Sequence, residues 1–141
     1  MLKDTLEMKG HLAIAVNGEV VREVPNLVVT AGKGYVASRM KDATTTAMSH
    51  MAIGTSATSA AAGNTALGSE ADRQALTSTT VSNNEIEYVA TFGAGDGTGA
   101  ITEAGVLNAS SGGTMLCRTV FSVVNKGASD SMTITWTVTV S

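Results

Sequence analysis

The 141-residue chain has one cysteine, one proline, two histidines and 4% aromatic residues, and charged side chains make up only 15% of it. Each shortage removes a class of function. Cys117 alone cannot form an internal disulfide, and inside a predicted strand it reads as a buried, inert thiol. His11 and His50 lie far apart with no Cys or His at ligand spacing, which excludes an ordinary zinc site. A net charge of −3 supplies no basic patch for neutralising phosphates, so nucleic acid is not an expected partner. Lys3, Asp4, Glu7 and Lys9 occupy the place where a secretory peptide has its apolar run, and no stretch approaches the roughly 20 apolar residues of a membrane span. The expectation is a soluble protein made in a cytoplasm, with no membrane partner. Charge at 15% falls below the roughly 25% of an ordinary soluble domain. Ser, Thr, Ala and Gly must therefore build the surface, which suits a subunit that hides part of itself in an assembly.

What is abundant is alternation. Met132, Ile134, Trp136, Val138 and Val140 alternate with Thr133, Thr135, Thr137 and Thr139, the period-two pattern of a strand with one buried face. Met8 to Val16 alternates likewise, and Asn17-Gly18 supplies the two positive-φ residues of a type I′ hairpin turn. The return strand, Glu19 to Val24, stops at Pro25, which cannot donate to a ladder. An extended path resumes over 26–30. Thr30 to Asp42 predicts the one helix, with Thr30 as N-cap and Tyr35, Val36, Arg39 and Met40 at helical spacing. Gly32 and Gly34 weaken its first turn by roughly 1 kcal/mol each relative to alanine.

His50 to Gly54 reads as a short strand, and Thr55 to Ser69 as a long surface loop or arm of small residues without periodicity. Glu70, Asp72 and Arg73 lead into a weak strand, Leu76 to Val81. Glu85 to Phe92, Ile101 to Asn108, Met115 to Val124 and the terminal strand then follow, separated by turn clusters, as an antiparallel meander or Greek-key run. Short strands at this spacing with one helix predict a single all-β domain, an antiparallel β-sandwich or jelly roll.

No motif carries catalysis. The glycines of the run Gly93 to Gly99 fall at every second position, no Lys-Ser/Thr follows, and a strand comes next where a phosphate loop needs a helix. Asp96 offers one carboxylate where a calcium loop draws six or more oxygens from several positions. Glu85 and Glu87 lie on the outward face opposite Ile86 and Tyr88, a solvated edge or interface and not an acid/base pair. No Ser sits in a Gly-x-Ser-x-Gly elbow. The expectation is a protein that is not an enzyme and needs no cofactor or metal.

Met51-Ala52-Ile53-Gly54-Thr55 with the small-residue tract after it, Thr65-Ala66-Leu67-Gly68-Ser69-Glu70, Tyr88-Val89-Ala90-Thr91-Phe92, Ile101 to Asn108, Gly113 to Phe121, Asn125-Lys126-Gly127 and the Thr-rich last strand come in an order that resembles small structural proteins of tailed bacteriophage virions. The segment from Gly10 to Ala31 fits the same resemblance, which thus spans most of the chain. Related β-domains serve there as cement or decoration proteins outside a capsid and as tail-fibre or collar modules. A short chain without a repetitive shaft favours decoration. The resemblance implies a jelly-roll-like sandwich on the exterior of the virion, contact with the major capsid protein and self-association, a dimer ahead of a trimer. A tail or collar component, or a carbohydrate-binding adhesin domain, are the alternatives. The expected interface lies in segments that most easily reach neighbours: the N-terminal Met1 to Glu7 (with Met1, Leu2 and Lys3 foremost), the tract from Ser56 to Gly63 (Ser56, Ala57, Thr58, Ser59), and the loop from Gly93 to Gly99 (Gly95, Asp96, Gly97).

Overall fold

The structure, a computed structural model, describes residues 6–41 and 45–141. Two five-stranded antiparallel sheets face each other, and the alternating sequences explain why: each strand offers one apolar row that only a second sheet can cover. The strands are β1 (Met8–Val16), β2 (Glu19–Pro25), β3 (Leu27–Val28), β4 (His50–Gly54), β5 (Glu70–Ala75), β6 (Ser78–Ser82), β7 (Glu85–Phe92), β8 (Gly99–Leu107), β9 (Met115–Lys126) and β10 (Met132–Val140), with one helix, α1 (Thr30–Met40). The first sheet runs β2-β1-β10-β7-β6 and the second β3-β9-β8-β4-β5. This is the all-β sandwich with one short helix that the sequence predicts.

β10 lies in the middle of the first sheet, between β1 and β7. Its predicted inward row, Met132, Ile134, Trp136 and Val138, is buried, and Val140 is half-buried at the strand end. Leu12, Ile14, Tyr88 and Phe92 join that row from the neighbouring strands, and Met51, Ile53, Ile101, Val106, Cys117 and Phe121 meet them from the second sheet. Burial pushes the Cys117 thiol and the Tyr88 phenol up, so neither ionises near neutral pH. Asn17 and Gly18 have φ of 52° and 84°, the paired left-handed residues of the predicted hairpin turn.

Three expectations are corrected. Of the two expected arrangements of the last four strands, meander or Greek-key run, the meander is excluded: β8 pairs with β9, whereas β7 pairs with β10, so the chain crosses between sheets after β7 and again after β9. Alternation marks an inward face, but both sheets share one core and the period does not say which sheet a strand joins. The segment leading into the weak strand is itself a strand, β5, and the predicted stretch from Leu76 to Val81 shifts to β6, which begins at Ser78 and ends at Ser82. Finally, Thr30 is not the N-cap of α1. Val29 holds that position without a side-chain bond, and the Thr30 N–H donates to the Ala62 carbonyl at 2.8 Å. The Asp42 end of the predicted helix lies outside the described residues.

Candidate functional site

Three places were expected to form an interface. Met1, Leu2 and Lys3 lie outside the described residues. The other end of that segment, Leu6 and Glu7, forms the wall of a groove of about 770 Å³ between α1 and the chain around β1, β2 and β3. Met8, Pro25, Leu27, Val36 and Met40 line it with apolar surface, and Lys9 and Lys33 stand beside them. Met40 is 82% and Leu6 72% exposed, and Leu27 is also exposed, so the largest uncovered apolar side chains gather here. Asn26 lies among them with its carboxamide buried, and neither of its polar atoms finds a hydrogen-bond partner among the described residues.

The tract containing Ser56, Ala57, Thr58 and Ser59 is not a free arm. It is a strap lying on the outer face of the second sheet, fastened by an ion pair that no sequence motif announced. Glu103 on β8 and Arg118 on β9 are 0% and 2% exposed, 3.0 Å apart. The Glu103 carboxylate accepts the backbone N–H groups of Ser56 (2.9 Å), Gly68 (2.8 Å) and Ser69 (2.7 Å). Arg118 donates to the Thr58 carbonyl and the Asn64 side-chain oxygen, both at 3.0 Å, besides Glu103. Both ends of the strap and its middle are thus tied to one buried pair. Burial by itself pushes the Glu103 carboxyl up, but three N–H donors and the guanidinium outweigh it and hold the group below the ordinary carboxylate range. Leu67 then packs down on Gly105, where a Cβ would lie 3.1 Å from its methyl carbon, in a second apolar cluster with Val29, Ala52, Leu107 and Met115. The signal was present in the sequence: Glu103 and Arg118 are charges inside otherwise apolar strands, and buried charges must be paired.

Gly95, Asp96 and Gly97 belong to the loop that carries the chain from β7 in the first sheet to β8 in the second. It too is fastened. Gly95 donates to the Ala128 carbonyl at 2.8 Å, and buried Lys126 donates its ammonium to the Gly93 carbonyl at 2.7 Å. Gly97, at φ 67°, sits where a Cβ would lie 2.5 Å from the Ile53 methyl carbon, closing the end of the core. The return loop from β9 to β10 is tied to the β1–β2 turn at the same end: Asp130 accepts from Asn17 Nδ2 at 2.9 Å and from the Gly127 N–H at 2.8 Å, bonds that hold its carboxyl below its ordinary value.

Gly97 lies against Ile53 of β4, and the Ser56 carbonyl accepts from Thr102 of β8 at 2.9 Å, so the strap and the glycine loop flank the same end of the second sheet. The groove is a separate place. The described residues contain no cluster of three or more His, Cys, Asp or Glu side chains able to hold a metal. Glu85 and Glu87 are exposed, as expected, and His50 bonds the Ser49 hydroxyl at 2.7 Å through Nδ1. Of the five aromatic rings, Trp136, Tyr88, Phe92 and Phe121 are buried and Tyr35 is half-buried, its hydroxyl accepting the Met48 N–H at 3.3 Å. No ring stands free on the surface for a sugar to stack on. No helix of the described residues is long and apolar enough to cross a membrane. A scan against protein-family models and searches of curated proteins and of solved structures returned no match to this chain.

Proposed function

We propose that the protein is a structural component of a tailed-phage virion, a cement or decoration protein that binds the outer surface of the major capsid protein shell and stabilises the head. It works by shape-matched burial without turnover and needs no cofactor. The phage assignment rests on the sequence resemblance. The structural observation that supports a binding role is the groove, where Leu6, Leu27 and Met40 collect uncovered apolar surface, whereas the strap and the glycine loop are tied down. An apolar patch rimmed by polar groups is what a protein interface needs. The groove lies at the N-terminal segment and not at the strap or glycine loop, so the face offered to the capsid is the one around Leu6.

The test is addition of purified protein to phage heads stripped of it, followed by sedimentation. Wild type is expected to co-sediment saturably and to raise the temperature at which heads release DNA. The variant carrying Leu6→Asp and Met40→Asp, two exposed positions whose change leaves the core intact, is expected to bind at least about tenfold more weakly, a loss of about 1.4 kcal/mol. Absence of binding to heads, with retention by tails, would replace this reading with a tail or collar role.

A further inference from the structure

A sheet edge is an open row of backbone donors and acceptors, and natural sandwiches blunt each edge to keep other chains from adding to it. The four edges here are not treated alike. β2 carries Glu19, Arg22 and Glu23, ends in Pro25 and has a bulge where its register against β1 shifts. Arg22 also reaches across to the Ser122 and Val123 carbonyls, covering the part of β9 that extends beyond β3. β3 is two residues long. β5 carries Glu70, Asp72 and Arg73 and is bulged against β4. β6 has none of these devices. Its sequence, Ser78-Thr79-Thr80-Val81-Ser82, holds no charge, proline or glycine, its register against β7 is unbroken, and all five residues are exposed. Val81 is 70% exposed although its partner Ile86 packs against the core.

We propose that β6 is a self-association edge, pairing antiparallel with β6 of a second copy across a two-fold axis at Thr80 to join the two first sheets into one continuous sheet. The order of residues identifies the occupant as another copy of this chain. Read in either direction from Thr80, the strand places Ser opposite Ser, Thr80 opposite Thr80, and β-branched Thr79 opposite β-branched Val81. Thr opposite Thr is a favourable cross-strand pair, and the two-fold keeps both inward faces on the same side, so each Val81 lies against the Thr79 methyl group of the other copy. The nearest like charges do not oppose it. Glu87 of β7 and its counterpart in the other copy would stand three strand spacings apart, roughly 14 Å, beyond the screening length of about 8 Å at physiological salt.

A five-residue edge buries little area, so the pairing is weak in solution and gains strength where copies are held side by side. It rests on the strand edges alone. A dimer that never binds a capsid leaves it standing, and a capsid binder that stays monomeric overturns it without touching the capsid reading.

Cysteine cross-linking of the full chain tests contact and register together, since Cys117 is buried and does not compete. Thr80→Cys is expected to form a disulfide-linked dimer under mild oxidation. Ser78→Cys and Ser82→Cys are expected to cross-link when mixed, but neither with itself, because identical residues would lie about 14 Å apart along the strand. In sedimentation equilibrium, Thr80→Lys, which sets like charges face to face, is expected to weaken the dimer about fivefold or more with unchanged circular dichroism. A protein that is monomeric up to about 1 mM, a trimer, or a dimer unaffected by Thr80→Lys would each overturn the assignment. So would cross-links that ignore this register.

Discussion

A Cβ on Gly32 would lie 2.0 Å from the Leu116 carbonyl oxygen, a backbone atom of β9 that cannot step aside, whereas one on Gly34, two residues on, meets nothing within 4 Å. Helix propensity treats the two alike, at about 1 kcal/mol below alanine; packing separates them. Gly34→Ala is expected to raise stability by about 0.5–1 kcal/mol, and Gly32→Ala to lower it by about 1–3 kcal/mol as α1 is forced off the sheet. Urea midpoints of the two variants check both signs. Glu103 gives a pH dependence at the same scale. Its carboxyl titrates below the ordinary value when folded, so an unfolded chain takes up the proton first. The stability it contributes is complete above about pH 4.3 and is lost as pH falls through the lower folded value. Unfolding midpoints measured from neutral pH down into the acid range are expected to fall in that window. In Glu103→Gln this share of the fall is expected to be missing.

At the scale of elements, the strap over residues 55–69 shows how a segment without regular structure is held. Its sequence has no period and one large apolar side chain, Leu67, so propensity gives it no structure. Its order comes from outside, through the backbone bonds to Glu103 and Arg118. Breaking a buried pair from one side costs about 3–5 kcal/mol, and Glu103→Gln is expected to approach that and to release the strap first. Hydrogen exchange checks it: the Ser56, Gly68 and Ser69 amides are expected to be protected in the wild type and to lose protection in the variant before the β1–β10 ladder does. If those amides exchange as fast in the wild type, the strap is not held as described. The same contrast shows what was legible. β1, β7 and β10 declare themselves because one face is apolar and the other is not. β5 did not, because an edge strand carrying Glu70, Asp72 and Arg73 has no apolar row to display. The tract from Ser56 to Ser59 looks free in sequence, and the charge that removes that freedom, Glu103, lies 44 or more positions later in the chain.

For the whole molecule, the sandwich was legible and the connections were not. Alternation puts Trp136 and Tyr88 on inward faces, and both are buried in the core. That β7 pairs with β10 and not with β8 follows from which loops clasp at the end of the sandwich, such as Gly95 to Ala128 and Asn17 to Ser131, and such contacts leave no periodic trace. The groove likewise joins residues from both ends of the first forty positions, so no local window contains it. The proposed role sets the apolar groove around Leu6, Leu27 and Met40 on a scaffold whose strap and glycine loop are tied down, and it requires that groove to be occupied on a particle. The measurement that tests this most directly is cryo-electron microscopy of the phage virion with this chain traced in the density. The expected result is copies distributed over the icosahedral shell, with Leu6, Leu27 and Met40 seated against the major capsid protein. Density confined to the tail, or shell-bound copies whose groove faces solvent, would contradict it.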